Sequence, residues 1–365
     1  MVSENALRSG SFPDSVLKQQ GVALLAVLIL ILALVVTLGN IFYRHQLDVS
    51  RMTNMMHEEQ AQLLAFSVEN WARQLLSSEY DERESDDFFE DWAQAVPALP
   101  VEGGFISGCL VDLQGRYNLN SLSSYNDERW DEEMQASKSG LARVWLNLLE
   151  NLELPADEAQ VVSVIDWVDG NRLPLNQWGA EQSYYDAGVV WIMVPNMMMT
   201  DVAELSVIKG YDAARVQVLT PYISALPDTT PININTASPE LLIAIGADKG
   251  AAFADFVSHN RPFDSYDSFM QQVAQALGLE DDEAAGRWGQ NTVGVNSDYF
   301  QLQLQVSLGE VELEVTSVLD RAGRDEPVVI SRSISRVPNI DTSQLDNDVL
   351  AILASPCVND SRTAS

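Results

Sequence analysis

The stretch from Val22 to Tyr43, VALLAVLILILALVVTLGNIFY, carries no charge, and the uncharged run extends from just after Lys18 to just before Arg44. Its 22 residues, at about 1.5 Å rise each, make a helix of roughly 33 Å, enough to cross a hydrocarbon core of about 30 Å. A chain with such a run has a membrane helix near its start, and the bulk that follows folds on one side of a bilayer. A removable secretory signal has an apolar region of about 7 to 15 residues with a small-residue cleavage site behind it. Here the run is longer and no such site follows, so the helix is expected to remain.

The balance of charge limits the partners. The 365 residues include 53 acidic and 21 basic side chains, a net charge of −32. Such a surface repels phosphate backbones and anionic headgroups, which argues against nucleic acid as a partner, and it suits hard cations such as calcium. Arg8 and Lys18 before the helix against Arg44, His45 and Arg51 after it leave the orientation undecided by the positive-inside rule. Cys109 and Cys357 are the two cysteines; an oxidising compartment permits a disulfide, but spacing does not distinguish a pair from two separate buried residues.

Helical periodicity continues beyond the membrane. Leu47, Met52, Met55, Met56, Leu63, Leu64, Phe66, Val68, Trp71 and Leu75 recur at spacings of three and four, so one helix is expected from 22 to about 76, with this stripe packed in a core. Glu79–Asp91 has eight acids against Arg83 and is expected to be a solvated loop or the start of a short helix. Phe105–Leu113, the turn Gln114-Gly115 and Arg116–Leu122 read as a hairpin. Phe300–Leu308, Val311–Val315 and Val328–Val337 alternate apolar with polar residues, the pattern of an antiparallel sheet with a helix on one side. The fold class is α+β, a long N-terminal helix packed on an antiparallel sheet, with a large all-α insertion.

The expected divisions are a membrane helix at 22–43, its continuation at 44–76, the first part of an α/β domain at 77–123, a helical insertion at 124–294, the remaining sheet at 295–338 and a tail at 339–365. Pro227 and Pro231 flank a break at 226–230, which predicts two lobes in the insertion.

Catalytic signals are scarce. His45, His57 and His259 lack metal-ligand spacing, and the sequence has no H-E-x-x-H, G-x-S-x-G, Walker A or C-x-x-C pattern, so no enzymatic activity is expected. The most distinctive polar stretch is Asp166–Asp186, DWVDGNRLPLNQWGAEQSYYD, a sharply turned loop that could offer several oxygens to calcium. Its spacing is not that of an EF-hand, and composition alone favours a structured turn without metal. In ININTASPELL (232–242), Thr236 or Ser238 caps a helix with Pro239 early inside it. The following AIGADKG resembles a helix-hairpin-helix turn, but Asp248 stands where that motif wants its second glycine.

Lys18-Gln19-Gln20-Gly21 before the apolar run resembles a type IV prepilin processing site. Together with GCLVDLQGRYNLNSL, the segment from IDWVDGNRLP to GAEQSYY, and ININTASPELL, it makes the chain similar to the large minor pseudopilin of type II secretion systems, the GspK family. That resemblance implies a pseudopilin fold with a helical insertion and a leader at 1–21. A prepilin peptidase would cut between Gly21 and Val22, and the new terminal amine would be methylated. It also implies an inner-membrane subunit with its bulk in the periplasm, drawn by the inner-membrane secretion platform into a complex of minor pseudopilins at the tip of a short fibre that supports export of folded proteins.

Family members bind calcium in the insertion, which directs attention to Asp169, Asn171, Glu181 and Asp186, although Asn171 and Gln182 stand where the family often has acids. Ordinary pilins carry a glutamate at the fifth mature position, where it meets a neighbour's terminal amine; here that position is Ala26. The competing readings are a membrane-anchored periplasmic hydrolase and a helix-hairpin-helix receptor for DNA uptake.

Overall fold

The computed structural model describes residues 15–80, 85–94, 96–136, 140–188, 192–324 and 326–337. The leader up to residue 14, the tail from 338 and Cys357 lie outside the described residues. The chain divides into two compact units, Met1–Gln60 and Ala61–Ser365.

In chain order the elements are α1 (Ser15–Tyr80), β1 (Val96–Val101), β2 (Gly104–Asp112), β3 (Tyr117–Asn118), α2 (Asp127–Ala136), α3 (Leu141–Asn151), α4 (Glu158–Val168), α5 (Gln182–Asp186) and α6 (Ala213–Leu219). They continue with β4 (Ile223–Ser224), β5 (Ile232–Asn233), α7 (Pro239–Gly246), α8 (Gly250–Asn260), α9 (Tyr266–Leu277), α10 (Asp281–Arg287), β6 (Val293–Gly294), β7 (Tyr299–Leu308), β8 (Val311–Asp320) and β9 (Val328–Arg336).

In the first unit the apolar run is helical and exposed, and an 18-residue window of the span reaches a mean hydropathy of 3.2 with none of it buried. Exposed side chains this apolar suit a lipid environment.

The second unit is built on a five-stranded antiparallel sheet in the order β1-β2-β7-β8-β9. Its inner face buries Ile106, Leu110, Leu302, Leu304, Val306, Leu313 and Val315 against Ala61, Ala65, Ala72 and Leu76 of α1. These helix residues are spaced four, seven and four positions apart, so they form one stripe, and alanine lets the helix lie close on the strands. The expected stripe holds in part: Leu64, Val68 and Leu75 pack against this core, whereas Met52, Met55, Met56, Leu63 and Trp71 are exposed.

The hairpin predicted at 105–122 is also replaced. The partner of β2 is β1, through Val101↔Gly104 and a turn at Glu102-Gly103 in which Gly103 has φ +87°. After Gln114 the chain leaves the sheet, and β3 pairs in parallel with β4. Residues 113–298 thus separate two strands that are hydrogen-bonded neighbours, β2 and β7.

One buried cluster runs through this insertion from Tyr117 to Val295 and holds residues from both sides of 226–230. The two lobes predicted from the prolines are one core, for an identifiable reason. Asn118 donates to the Asp228 carbonyl at 2.7 Å and accepts from the Leu226 N–H at 3.1 Å, while Asn120 donates to the Leu226 carbonyl at 2.8 Å. These buried amides satisfy the backbone of the proline-flanked segment and draw it inside. The start of α7 resolves the choice of cap: Ser238 Oγ accepts from the Leu241 N–H at 3.2 Å.

Candidate functional site: an oxygen-rich loop and the junction that carries it

The acidic stretch 79–91 contributes to the junction between sheet and insertion. Asp86, Asp87 and Glu90 are buried, contrary to the expected solvated loop. Each has a partner that offsets desolvation: Asp86 is ion-paired with Arg321, Asp87 accepts from the Phe89 N–H at 2.7 Å, and Glu90 accepts from the Trp92 indole at 2.7 Å. Asp112 at the end of β2 accepts from Asn233 at 3.0 Å, Thr236 at 2.5 Å, Ser297 at 2.7 Å and the Gln114 N–H at 2.8 Å. Burial pushes its carboxyl up to about 6 against these hydrogen bonds, and the charge of Asp86 adds to the rise. Asn233 also donates to the Asp86 carbonyl at 3.1 Å, so the ININT motif is where the insertion is fastened to the sheet.

The loop after α4 is organised by Asp166, which is fully buried. Its two oxygens accept from the Leu175 N–H at 2.9 Å and the Ala180 N–H at 2.7 Å and so close the loop. At Gly179 an added Cβ would lie 2.3 Å from an Asp166 oxygen, so that approach requires glycine. Asp169 accepts from the Asn171 N–H at 3.0 Å and from its amide at 2.7 Å. Glu181 is buried, and both its oxygens lie 3.3 Å from the Asn196 amide nitrogen, which also contacts the Asn171 carbonyl.

Burial raises Asp166 and Asp169 to about 6, and the charge of Glu181 contributes to both. For Asp166 the rise is opposed by Lys209, whose Nζ donates to the Trp178 carbonyl at 2.8 Å.

Of the four candidate ligands, Asp169, Asn171 and Glu181 are thereby linked, the last two through Asn196. Asp186 is exposed and held apart by the Gln182 amide at 2.8 Å. Asn196, which the sequence reading passed over, holds the set together from a left-handed backbone, φ +47°. The stretch VPNM carried no recognisable ligand spacing to reveal it. Among the described residues no group of three or more His, Cys, Asp or Glu side chains is placed to hold a metal ion. What the chain does provide around Asn196 is two carboxylate oxygens and a backbone carbonyl, hard donors of the kind calcium takes.

Gly21, Val22 and Ala26 all lie on α1, with Val22 and Ala26 exposed. Cys109 is buried on β2 and disulfide-bonded.

A long N-terminal helix, apolar at its start and laid through residues 61–76 on an antiparallel sheet, with a helical insertion between two adjacent strands, defines a pseudopilin-class subunit. Residues 115–228 match the family described as Type II secretion system (T2SS), protein K. The chain is 32% identical over 325 residues to type II secretion system protein K of Klebsiella pneumoniae, covering 86% of this chain and 96% of that one. To the protein of the same name from Aeromonas hydrophila it is 29% identical over 333 residues, covering 87% and 97%. A crystal structure of the GspK-GspI-GspJ complex from enterotoxigenic Escherichia coli contains a chain that it resembles with TM-score 0.67 and 25% identity, covering 79% of this chain and all of that one. The chain belongs to the type II secretion system protein K family, a family of structural minor pseudopilins.

Proposed function

We propose that this chain is the tip subunit of a type II secretion pseudopilus. The observation that carries the reading is α1. Its first part is apolar and exposed over a membrane-spanning length, and beyond it Met52, Met55 and Met56, then Leu63 and Trp71, remain exposed. Large apolar side chains left exposed outside a membrane suit helix-to-helix assembly with other subunits. The partners are smaller minor pseudopilins, as in the E. coli complex of GspK with GspI and GspJ. Cleavage by the prepilin peptidase between Gly21 and Val22 leaves residues 22–43 of α1 in the inner membrane and the rest of the mature chain in the periplasm. The secretion platform then draws the subunit into the fibre, which supports export of folded proteins.

Two features support a place at the end of the fibre. Ala26 offers no carboxylate to a neighbouring amine, and an unpaired amine inside a membrane is costly. The insertion of 113–298 adds bulk that would collide with subunits stacked above it. The role is mechanical and not enzymatic.

Calcium is the proposed structural ion of the loop, held by Asp169, Glu181 and the carbonyl of Asn171, with Asn196 turning its amide oxygen toward it; bound, it would neutralise the buried carboxylates. Mass spectrometry of the chain isolated from membranes tests the assignment. A first residue of methylated Val22, with the smaller pseudopilins co-purifying, is the expected result; an intact Met1 would overturn it.

A further inference from the structure

The two edges of the five-stranded sheet, β1 and β9, are built differently. β1 contains Pro97 and Pro100, which have no N–H to offer, and its pairing with β2 is irregular between Val96 and Leu99. Prolines and irregular pairing keep an edge strand from adding another strand. β9 reads VVISRSISR, without proline, and its one irregularity lies near its start, opposite Val318 and Leu319. Among the described residues, β8 is its only hydrogen-bonded neighbour in the sheet.

A single bond fixes which backbone groups of β9 point outward. The Val337 N–H donates to the Glu312 carbonyl at 3.0 Å, and hydrogen-bonded pairs alternate along an antiparallel ladder. Ser335↔Glu314 and Ser333↔Thr316 are then bonded pairs, so Arg332, Ile334 and Arg336 turn their N–H and C=O groups to the open side. The strand is held in place from α1. Arg73 donates to the Pro327 carbonyl at 2.6 Å just before β9, and Glu69 pairs with Arg332 within it. Ile334, on the inner face beside Val315, is nevertheless 40% exposed, so α1 leaves this margin of the sheet uncovered.

We propose that β9 is a docking edge for an extended acidic segment of another protein, which adds to the sheet as a further strand. Strand addition draws affinity from main-chain hydrogen bonds and specificity from alternate side chains. Those side chains are Arg332, Ile334 and Arg336, in a strand without a single acid although the chain carries a net charge of −32. Arg332 is already paired with Glu69, whereas Arg336 makes no ion pair among the described residues. A segment with acids two residues to either side of a β-branched apolar residue sets opposite charge against both arginines and an apolar side chain against Ile334. A second copy of β9 does not fit this edge, because antiparallel pairing centred on Ile334 brings Arg332 against Arg336. The edge is a surface apart from the exposed stripe of α1, and the inference does not depend on the tip assignment.

The test adds the capped peptide Thr-Glu-Thr-Val-Thr-Glu-Thr to the detergent-solubilised full chain and follows hydrogen exchange residue by residue. In the chain alone the amides of Arg332, Ile334 and Arg336 should exchange faster than those of Ser333 and Ser335, and excess peptide should slow them by about tenfold. Arg336→Glu should weaken the peptide by about fivefold, and a peptide with lysine in place of glutamate should bind that variant better than the wild type. Ile334→Pro removes an outward N–H and spares the bonds to β8, so it should abolish the peptide's effect while Ser333 and Ser335 stay protected. Edge amides that remain fast in excess peptide would overturn the proposal. Edge amides already slow in the chain alone would also overturn it: slow at every dilution, they are covered by the chain's own segment; slow only at high concentration, by a second copy.

Discussion

Glu69 on α1 accepts two hydrogen bonds from Arg332 on β9, at 2.6 and 2.9 Å, across 263 residues of sequence. Ser317 on β8 donates a third at 2.7 Å. Burial alone would raise the Glu69 carboxyl, but the hydrogen bonds and charge of Arg332, with Ser317, hold it below its ordinary value. The pair is a polar lock in the otherwise apolar contact of helix and sheet. Arg332→Ala leaves a buried charge unpaired and should cost about 2–3 kcal/mol, less than the loss for a fully buried pair because Arg332 is partly exposed. Glu69→Leu combined with Arg332→Leu should recover most of it. Denaturant melts of the detergent-solubilised chain measure both; a single variant as stable as the wild type would remove the lock.

Asp112 predicts how stability follows pH. Its carboxyl titrates near 6 when folded and near 3.8 when exposed. Between those values the folded state holds the extra proton, so this contribution is fully present below about pH 4 and is lost as pH rises through 6. Asp166 and Asp169 act in the same direction. Stability should therefore fall from pH 5 to pH 7, by about 1.3 kcal/mol from Asp112. Asp112→Asn should flatten that slope in urea titrations at the two pH values. An unchanged slope would place the proton uptake elsewhere.

For the oxygen-rich loop, adding calcium to chain pretreated with chelator should raise the melting temperature, because an ion that binds only the folded state stabilises it. Asp169→Asn and Glu181→Gln should each abolish the shift, and Asn196→Ala should weaken it. Asp186→Asn should leave it intact, since Asp186 is held outward by Gln182. An equal shift in all four variants would mean that calcium binds elsewhere.

What the sequence revealed and what it concealed have a common physical origin. Alternation from Phe300 to Val315 marks strands directly, because facing in or out is a property of each residue's own position. Pairing is not local in that way. Gln114-Gly115 has turn composition, but Asn118 and Asn120 bond to residues more than 100 positions away, and that pulls the chain into the insertion. On α1 the period was legible and Leu64, Val68 and Leu75 of the predicted stripe do pack on the sheet, but the most deeply buried positions were missed, because close approach favours Ala61, Ala65 and Ala72 over the larger Leu63 and Trp71. In the loop, Asp169 and Glu181 stand out as acids in a turn. Asn196 joins them only through the return of the chain 25 residues after Asn171.

Ala26 carries the sharpest prediction about assembly. If a carboxylate at this position is what lets a subunit meet a neighbour's amine, its absence keeps this chain from entering the body of the fibre. A lone acid costs about 2.5–3.5 kcal/mol at the centre of a membrane helix and less at position 26, near its start, and pairing with an amine recovers part of that, so Ala26→Glu gains most by joining a stack. The variant should raise the ratio of this subunit to the others in sheared fibres by several-fold, measured by quantitative mass spectrometry, while secretion falls. A ratio equal to that of the wild type would show that the insertion's bulk, rather than the missing carboxylate, sets the subunit's place.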